Sequence, residues 1–168
     1  MVSLTDAVCA EYSSPLGDMI LTSSNGVLCG AWFTDQKYAC AGISPCETVP
    51  LSHSFFCEVS LWLDRYFRGN TSAPDFPLEP AGTAFQKAVW AELLKIPYGC
   101  TRSYKDVAES IGCKSARAAG LAIGRNPISI IIPCHRVIGS SGALTGYAGG
   151  LERKAKLLDL EKTYLSAS

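Results

Sequence analysis

The chain has 168 residues, of which 48% are apolar and 18% are charged. This composition excludes an intrinsically disordered chain and fits one or two small globular domains with a substantial core. No stretch is long and apolar enough to span a membrane, and residues 1–10 lack the basic and apolar regions of a signal peptide. We therefore expect no membrane partner and a cytoplasmic location, or a nuclear one in a eukaryote.

The net charge of zero conceals an uneven distribution of charge along the chain. Residues 1–80 contain three basic and nine acidic residues, a net charge of −6, whereas residues 81–168 contain twelve and six, a net charge of +6. This asymmetry predicts that the second half binds a polyanion and that the first half does not. The charges alone do not distinguish a nucleic acid from an acidic protein or a membrane surface.

Short β-strands are predicted over residues 8–34. Asn25-Gly26, between two apolar runs, is typical of a two-residue hairpin turn, and an earlier turn is predicted at Ser14-Pro15-Leu16-Gly17. Residues 35–51 are predicted to form a loop with one further edge strand. The eight cysteines are scattered and form no Cys-x-x-Cys motif, so we expect reduced thiols.

An amphipathic helix is predicted next, ending at Gly69. Its predicted core face repeats at spacings of four, three and four residues and consists of Phe55, Val59, Trp62 and Tyr66. The proline-rich stretch from residue 69 to residue 82 is predicted to be an interdomain linker. The chain is therefore divided into domains 1–80 and 81–168.

The second domain begins with a helix whose first residues, Thr83 to Gln86, have the spacing of a capping box. Its predicted buried face consists of Phe85, Val89, Leu93 and Ile96. Two further short helices are predicted to start at Ser103 and Ser115, with a turn at Gly112 between them. This pattern is typical of a helix-turn-helix, although an ordinary αα-hairpin has the same pattern. The local basic residues favour the helix-turn-helix because they suit phosphate contacts: Arg102, Lys105, Lys114, Arg117 and Arg125.

The second helix of this pair has little side-chain bulk, since it contains Gly120, Gly124 and several alanines. A glycine destabilises a helix by roughly 1 kcal/mol relative to alanine, so we expect a compensating close approach. Close approach to another helix and close approach to a narrow groove would each explain the small side chains. A slim helix with one long cation, Arg117, is suited to entering a minor groove and wedging between bases.

Ile128 to Ile132, with one serine among them, lead directly into Pro133-Cys134-His135. The run predicts a short buried strand or extended segment, and Pro133 places the thiol at a rigid corner. A cysteine beside the only histidine of the C-terminal half is a candidate activated nucleophile. The alternative is a buried structural cysteine.

Pro-Cys-His-Arg-Val at 133–137, with Asn126-Pro127 before it and Gly146-Tyr147-Ala148-Gly149-Gly150 after it, resembles the O6-alkylguanine-DNA alkyltransferases. The resemblance is close over about residues 83–162 and loose over the N-terminal half. It implies an α/β (α+β) protein. The N-terminal domain would be ribonuclease-H-like, with a small antiparallel sheet plus a helix, and the C-terminal domain would be mostly helical.

The implied activity is repair of O6-alkylguanine, mainly O6-methylguanine, in double-stranded DNA. The lesion is flipped out through the minor groove, and its alkyl group is transferred irreversibly to Cys134, once per molecule. The resemblance implies a monomer that needs no cofactor. Some relatives bind zinc in the N-terminal domain through two cysteines and two histidines, but this half contains only His53, so we expect no metal.

The resemblance also implies roles for individual residues. Cys134 accepts the alkyl group, His135 deprotonates the thiol through a water molecule, and Glu161 orients His135. Tyr104 acts on the target phosphate and the flipped base, while Arg117 fills the gap that the base leaves. The other implied contacts to DNA or to the base are Arg102, Ser103, Lys114, Arg125, Asn126, Val137, Tyr147 and Ala148.

Arg136 is expected to be a buried structural charge that needs a carboxylate or carbonyl partner. Ala148 stands where many relatives have serine, which leaves the substrate range open. Two other functions also stay open. A non-catalytic lesion-binding module is disfavoured by Cys134. A cysteine hydrolase that uses Cys134, His135 and Glu161 is disfavoured by the basic helix-turn-helix.

Overall fold

The structure, a computed structural model, describes residues 7–41, 46–70 and 72–166. The chain divides into two compact units, Met1–Ala81 with Pro127–Ile131, and Gly82–Asn126 with Ile132–Ser168. Within the described residues, no helix has the length and apolar character needed to cross a membrane.

The first unit contains a sheet whose strands follow the predicted hairpins. Strands β1 (Ala7–Ser14), β2 (Gly17–Ser24) and β3 (Val27–Phe33) pair antiparallel in sequence order. Asn25 and Gly26 have φ angles of 52° and 74°, as the two-residue turn requires, and the hairpin prediction is confirmed. The edge strand β4 (Glu47–Thr48) pairs parallel with β1, so the sheet is antiparallel except at this edge.

The predicted amphipathic helix is present as α1 (Ser54–Phe67), but its buried face is rotated from the predicted one. Phe56, Val59, Leu63 and Tyr66 are buried. The predicted core residues Phe55 and Trp62 are only half-buried, and both meet the ring of Phe76 edge-on. The apolar residues one position further along, Phe56, Leu63 and Phe67, also recur with the helical period. These three are buried, together with Val59 and Tyr66 of the predicted face.

The proline-rich stretch is not a free linker over residues 76–79. Phe76 is buried, and Leu78 forms a bridge with Leu28 of β3. Leu28 N donates to Pro77 O at 3.0 Å, and Glu79 N donates to Leu28 O at 2.9 Å. Proline lacks a donor but keeps its carbonyl acceptor, so this stretch can still pair with the strand.

The second unit contains the helices α2 (Ala84–Leu93), α3 (Tyr104–Ser110), α4 (Ala116–Gly124) and α5 (Leu151–Ser166). Two short parallel strands, β5 (Arg102–Ser103) and β6 (Val137–Ile138), lie among them. The predicted starts of α2, α3 and α4 are confirmed by side-chain caps at Thr83, Ser103 and Ser115. The turn between α3 and α4 uses Gly112 at a φ of 68°.

The buried face of α2 differs from the prediction at its first residue. Phe85 is exposed, whereas Val89, Leu93 and Ile96 are buried as predicted. Trp90 is also buried, and its Nε1 donates to Ala122 O of α4 at 2.9 Å. This hydrogen bond holds α2 against the slim helix of the helix-turn-helix.

The expected strand or extended segment at Ile128–Ile132 is wrong except at Ile128, which forms an isolated bridge with Ala31. Ile131 N donates to Ser129 O at 2.9 Å around Ile130, which has a φ of 70°, so this segment makes a γ-turn. A positive φ is strained for a β-branched residue. Burial of every isoleucine in the run holds the turn in place, and the apolar pattern alone does not distinguish such a turn from a strand.

Candidate active site

Cys134 begins a short 3-10 helix, Cys134–Arg136, directly after a second tight turn. Pro133 has φ −81° and ψ 61°, and Cys134 N donates to Ile132 O at 2.8 Å, which is an inverse γ-turn. Asn126 Nδ2 lies 2.8 Å from Ile132 O and 3.1 Å from Cys134 Sγ. The predicted site residue Asn126 therefore contacts both the turn and the sulfur atom.

The Cys134 side chain is almost completely buried, and this burial raises the pKa of its thiol. The hydrogen bond from Asn126 and the positive charge of Lys154 act in the opposite direction without outweighing burial. At neutral pH the sulfur is therefore a thiol in the free protein. A base must remove its proton before it can act as a nucleophile.

His135 and Glu161 form a fully buried pair, with His135 Nε2 2.7 Å from Glu161 Oε1. An ionised carboxylate only accepts hydrogen bonds, so Nε2 carries the hydrogen and Nδ1 carries the lone pair of a neutral ring. Burial lowers the pKa of His135, although Glu161 opposes that shift. The imidazole is therefore neutral at physiological pH and can accept a proton at Nδ1.

Glu161 also binds the neighbouring Arg136, which answers the expectation that this arginine needs a partner. Arg136 Nε lies 2.9 Å from Glu161 Oε2, and Nη2 lies 3.0 Å from Oε1. Arg136 Nη1 donates to Ile96 O at 2.7 Å, and Gly99 N donates to Glu161 Oε2 at 2.8 Å. Burial alone would raise the pKa of Glu161, but His135 and Arg136 outweigh it and lower that pKa to about 2.

Tyr104, at the start of α3, lies against the loop that follows β6. Its hydroxyl donates to Thr145 O at 2.6 Å and also lies 3.1 Å from Gly146 O. Lys154 of α5 is fully buried beside it, with Nζ 2.7 Å from Thr145 O and 3.3 Å from the Tyr104 hydroxyl. Burial lowers the pKa of Lys154 to about 8, although the negative charge of an ionised Cys134 would raise it.

Sequence reasoning missed Lys154, yet a sequence signal for it exists. Lys154, Leu157, Leu158 and Glu161 follow the three- and four-residue spacing of one helical stripe, and all four are buried. A lysine on the apolar stripe of a helix, in line with a predicted site carboxylate, indicates a buried amine.

Tyr147, Ala148 and Val137 lie on or next to the same loop. The Tyr147 hydroxyl is buried and has no hydrogen-bond partner among the described residues. Burial raises the pKa of Tyr147 well above its usual value, and the negative charge of an ionised Cys134 would add to that shift. Ala148 is half-buried, and Val137 is fully buried opposite Arg102 in the β5–β6 pair.

The predicted DNA contacts on the helix-turn-helix fall into two groups. Lys114, Arg117 and Arg125 are exposed, on or beside α4. Arg102 instead binds Glu92 Oε1 at 2.8 Å and Asp106 O at 3.0 Å, and Ser103 caps α3. No contact among the described residues brings Arg117 to the thiol.

The glycines of α4 are not required by packing within the protein. A Cβ atom at Gly120 would lie 3.5 Å from the Tyr104 ring, an ordinary contact, and at Gly124 nothing lies within 4 Å. Of the two explanations for the slim helix, close approach of another helix therefore does not account for Gly124.

Two family models match the chain. Residues 84–163 match "6-O-methylguanine DNA methyltransferase, DNA binding domain", and residues 7–80 match "6-O-methylguanine DNA methyltransferase, ribonuclease-like domain". The chain belongs to this family. Its membership confirms the resemblance and the fold class, with a small sheet-containing N-terminal domain and a mostly helical C-terminal domain.

Individual relatives of the 6-O-methylguanine DNA methyltransferase family cover most of the chain. A methylated-DNA–protein-cysteine methyltransferase of Mycobacterium leprae is 47% identical over 155 residues, 92% of each chain. One of Methanosarcina barkeri is 58% identical over 112 residues, 66% of this chain and 71% of the relative. A crystal structure of Mycobacterium tuberculosis OGT in complex with DNA matches with a TM-score of 0.84 and 42% identity, covering 94% of each chain.

All eight cysteines lie in the described part of the chain and are free thiols. Within that same part, no group of three or more His, Cys, Asp or Glu side chains is arranged to hold a metal ion.

Proposed function

We propose that this chain repairs alkylated DNA by moving the alkyl group from O6 of guanine to Cys134. One observation carries the proposal: within the DNA-binding domain of the family, a buried thiol accepts a hydrogen bond from Asn126 and precedes a neutral histidine held by Glu161. The product is a thioether, which does not revert. Each molecule therefore reacts once, and the protein is consumed.

The chemistry follows from the protonation states of the site. His135 accepts the thiol proton at Nδ1 through a water molecule, and Glu161 stabilises the imidazolium that forms. The sulfur then attacks the alkyl carbon, the bond to O6 breaks, and its electrons stay on guanine. Because the DNA carries the alkyl group, the reaction needs no cofactor.

Recognition requires the base to leave the duplex, since O6 is inaccessible to a buried thiol while guanine is stacked. We propose that α4 enters the minor groove and that Arg117, exposed on it, occupies the space of the flipped nucleotide. Lys114 and Arg125 would contact phosphates. Tyr104, Asn126, Val137, Tyr147 and Ala148 would surround the base. A monomer provides every group in this scheme, in the compartment that contains DNA.

The decisive experiment is peptide mass spectrometry after the protein is mixed with a duplex that contains one O6-methylguanine. We expect one added methyl group on the Cys134 peptide, with reaction stopping at one equivalent. The peptides with the exposed thiols Cys57 and Cys100 are internal controls and should stay unmodified. An unmodified Cys134 despite tight binding would indicate a lesion-binding module, and multiple turnovers would indicate a hydrolase.

A further inference from the structure

Leu121, on α4, is the most exposed large apolar side chain among the described residues. It is 68% exposed, whereas the other exposed large apolar side chains range from 37% to 49%. A single exposed leucine needs no explanation by itself, because folded proteins leave much apolar surface in water. Within α4, however, Leu121 and Arg117 are the only long side chains that reach solvent, since the remaining residues of this fully described helix are alanine, glycine and the buried Ile123.

Leu121 lies on the same stripe of α4 as the proposed DNA contact Arg117. The two residues are four positions apart, which places them one above the other on a helix, and Gly124 follows three positions later. The opposite face is buried and consists of Ala119, Ala122 and Ile123. The stripe therefore points away from the core, and its small neighbours allow Leu121 to project beyond the rest of the helix.

Basic side chains flank Leu121 on both sides along the helix. Lys114 precedes α4, Arg117 lies in its first turn and Arg125 is its C-terminal cap residue, and all three are exposed. With a rise of about 1.5 Å per residue, Leu121 lies about 6 Å along the helix axis from both Arg117 and Arg125. Cations suit the phosphates at the edges of a groove, and an apolar side chain between them suits the sugars and bases inside it.

We propose that Leu121 is an apolar wedge that enters the minor groove of DNA beside Arg117 and opens a base step close to the flipped nucleotide. This inference rests on the proposed function, in which α4 enters the minor groove, and adds a second inserted side chain to that step. Proteins that kink DNA from the minor groove insert leucine and similar apolar side chains in this way. The flanking cations, and the match of residues 84–163 to a DNA-binding domain, favour DNA over a second copy of the chain as the partner.

The two inserted side chains would act differently. Arg117 occupies the space that the base leaves, whereas Leu121 makes the base easier to extrude, because a partly unstacked base costs less free energy to flip. Burial of the leucine against sugars and bases also removes apolar surface from water. This contribution to binding releases no counterions, so it differs from that of the cations in its dependence on salt.

The first test compares two substrates of Cys134, a duplex that contains one O6-methylguanine and free O6-benzylguanine, which needs no flipping. Leu121→Ala should slow single-turnover transfer from the duplex by about 10-fold more than transfer from the free base, since most of the apolar contact is lost. Alanine is the best helix former, so this variant should fold. An unchanged rate on the duplex, or equal slowing on both substrates, would overturn the proposal.

Two larger substitutions separate an apolar wedge from a side chain that only fills space. Leu121→Met and Leu121→Gln introduce side chains of similar size and helix propensity that differ in polarity. The methionine variant should react with the duplex at nearly the wild-type rate, and the glutamine variant should be as slow as Leu121→Ala. A glutamine variant as fast as the wild type would overturn the apolar wedge. Leu61→Ala, at an exposed leucine of α1, is the matched control and should change neither rate.

Unstacking is measured with 2-aminopurine placed beside the lesion, because the fluorescence of this base rises when it is unstacked. The measurement uses a Cys134→Ala background, so that the lesion is not repaired. At protein concentrations that saturate the duplex, adding Leu121→Ala should reduce the rise in fluorescence, and an equal rise would overturn the wedge. The slope of log K against log salt should stay the same, because leucine carries no charge. A changed slope would show that the flanking cations had moved, and it would also count against the proposal.

Two further outcomes would indicate a different partner or a different function. Sedimentation of the DNA-free protein should show a monomer, and self-association that Leu121→Ala abolishes would overturn the proposal in favour of a second copy of the chain. Failure of the wild type to alkylate Cys134 from either substrate would instead reject the proposed function. A wild type that reacts, with a Leu121→Ala variant that matches it on the duplex, would reject the wedge alone.

Discussion

Glu161 connects the chemistry of the site with the stability of the second unit. One carboxylate accepts hydrogen bonds from His135, from Arg136 and from the backbone of Gly99. Only the first of these bonds would serve the proposed reaction directly. The others hold a buried guanidinium and position the turn before β5, so a substitution at Glu161 should affect stability as well as transfer.

We expect Glu161→Gln to slow alkyl transfer and to lower the free energy of unfolding by about 3–5 kcal/mol. The physical reason is that Arg136 would remain buried beside a neutral amide. Urea denaturation measures the change. Glu152→Gln, which removes an exposed ion pair with Lys156 on the same helix, is the control and should leave the free energy of unfolding nearly unchanged. Equal effects of the two variants would contradict this account.

The pH dependence of stability should report the same carboxylate. The pKa of Glu161 is lowered to about 2 in the folded protein, below about 4.3 for an unfolded glutamate. A carboxylate whose pKa is lower in the folded state stabilises the fold at pH values above its unfolded pKa. This contribution is lost as the pH falls from about 4.3 toward 2. Over that interval, the difference in unfolding free energy between wild type and Glu161→Gln should shrink. A constant difference would exclude the linkage.

At the scale of single residues, the sequence motif identifies some side chains of the candidate site better than others. Cys134 and His135 are recognisable because they are adjacent in the chain, and Arg136 was expected to need a carboxylate or carbonyl partner. Both kinds of partner are present, as Glu161 and Ile96 O. Lys154 was not predicted as a site residue: the apolar stripe of α5 indicates its burial, but its contact with Tyr104 joins residues fifty positions apart.

Helix α4 contains glycines that make it less stable than a helix with alanine at the same positions. Packing within the protein does not require Gly124. The proposed entry of α4 into the minor groove would explain the lack of side-chain bulk. Under this explanation, the helix is less stable than it could be in the free protein because a larger side chain would obstruct DNA.

We therefore expect Gly124→Ala to raise the unfolding free energy by up to about 1 kcal/mol and to weaken binding to duplex DNA. Thermal unfolding and a fluorescence-anisotropy titration with undamaged duplex measure the two effects. Ala118→Gly is the reciprocal variant, and it should lower stability. A Gly124→Ala protein that is more stable and binds duplex equally well would show that the slim helix does not serve DNA binding.

At the level of elements, capping and turn signals are more reliable than apolar periodicity. The caps at Thr83, Ser103 and Ser115 are local hydrogen bonds, so short sequence patterns predict them. The face that a helix buries depends on its neighbours. This dependence explains why Phe85 is exposed and why the buried face of α1 is rotated by one residue.

At the scale of the whole molecule, acidic residues dominate residues 1–80 and basic residues dominate residues 81–168. The two compact units do not divide the chain at the same single point. Residues 127–131 belong to the first unit although the residues on both sides belong to the second. Ala31 N donates to Pro127 O at 2.9 Å, and Ser129 N donates to Ala31 O at 2.8 Å. Such backbone pairing leaves no trace in composition or periodicity, so a boundary drawn from sequence places all of residues 81–168 together.

The net charge of +6 on residues 81–168 predicts that DNA binding weakens as salt concentration rises. The slope of log K against log salt counts the phosphates that the protein neutralises. Lys114→Ala should therefore reduce the slope by about one, because Lys114 is exposed in the turn of the helix-turn-helix. Lys162→Ala removes the same charge from an exposed site on α5 and should leave the slope unchanged. If both variants reduce the slope equally, net charge rather than phosphate contact determines affinity, and the helix-turn-helix loses its assignment as the DNA-binding surface.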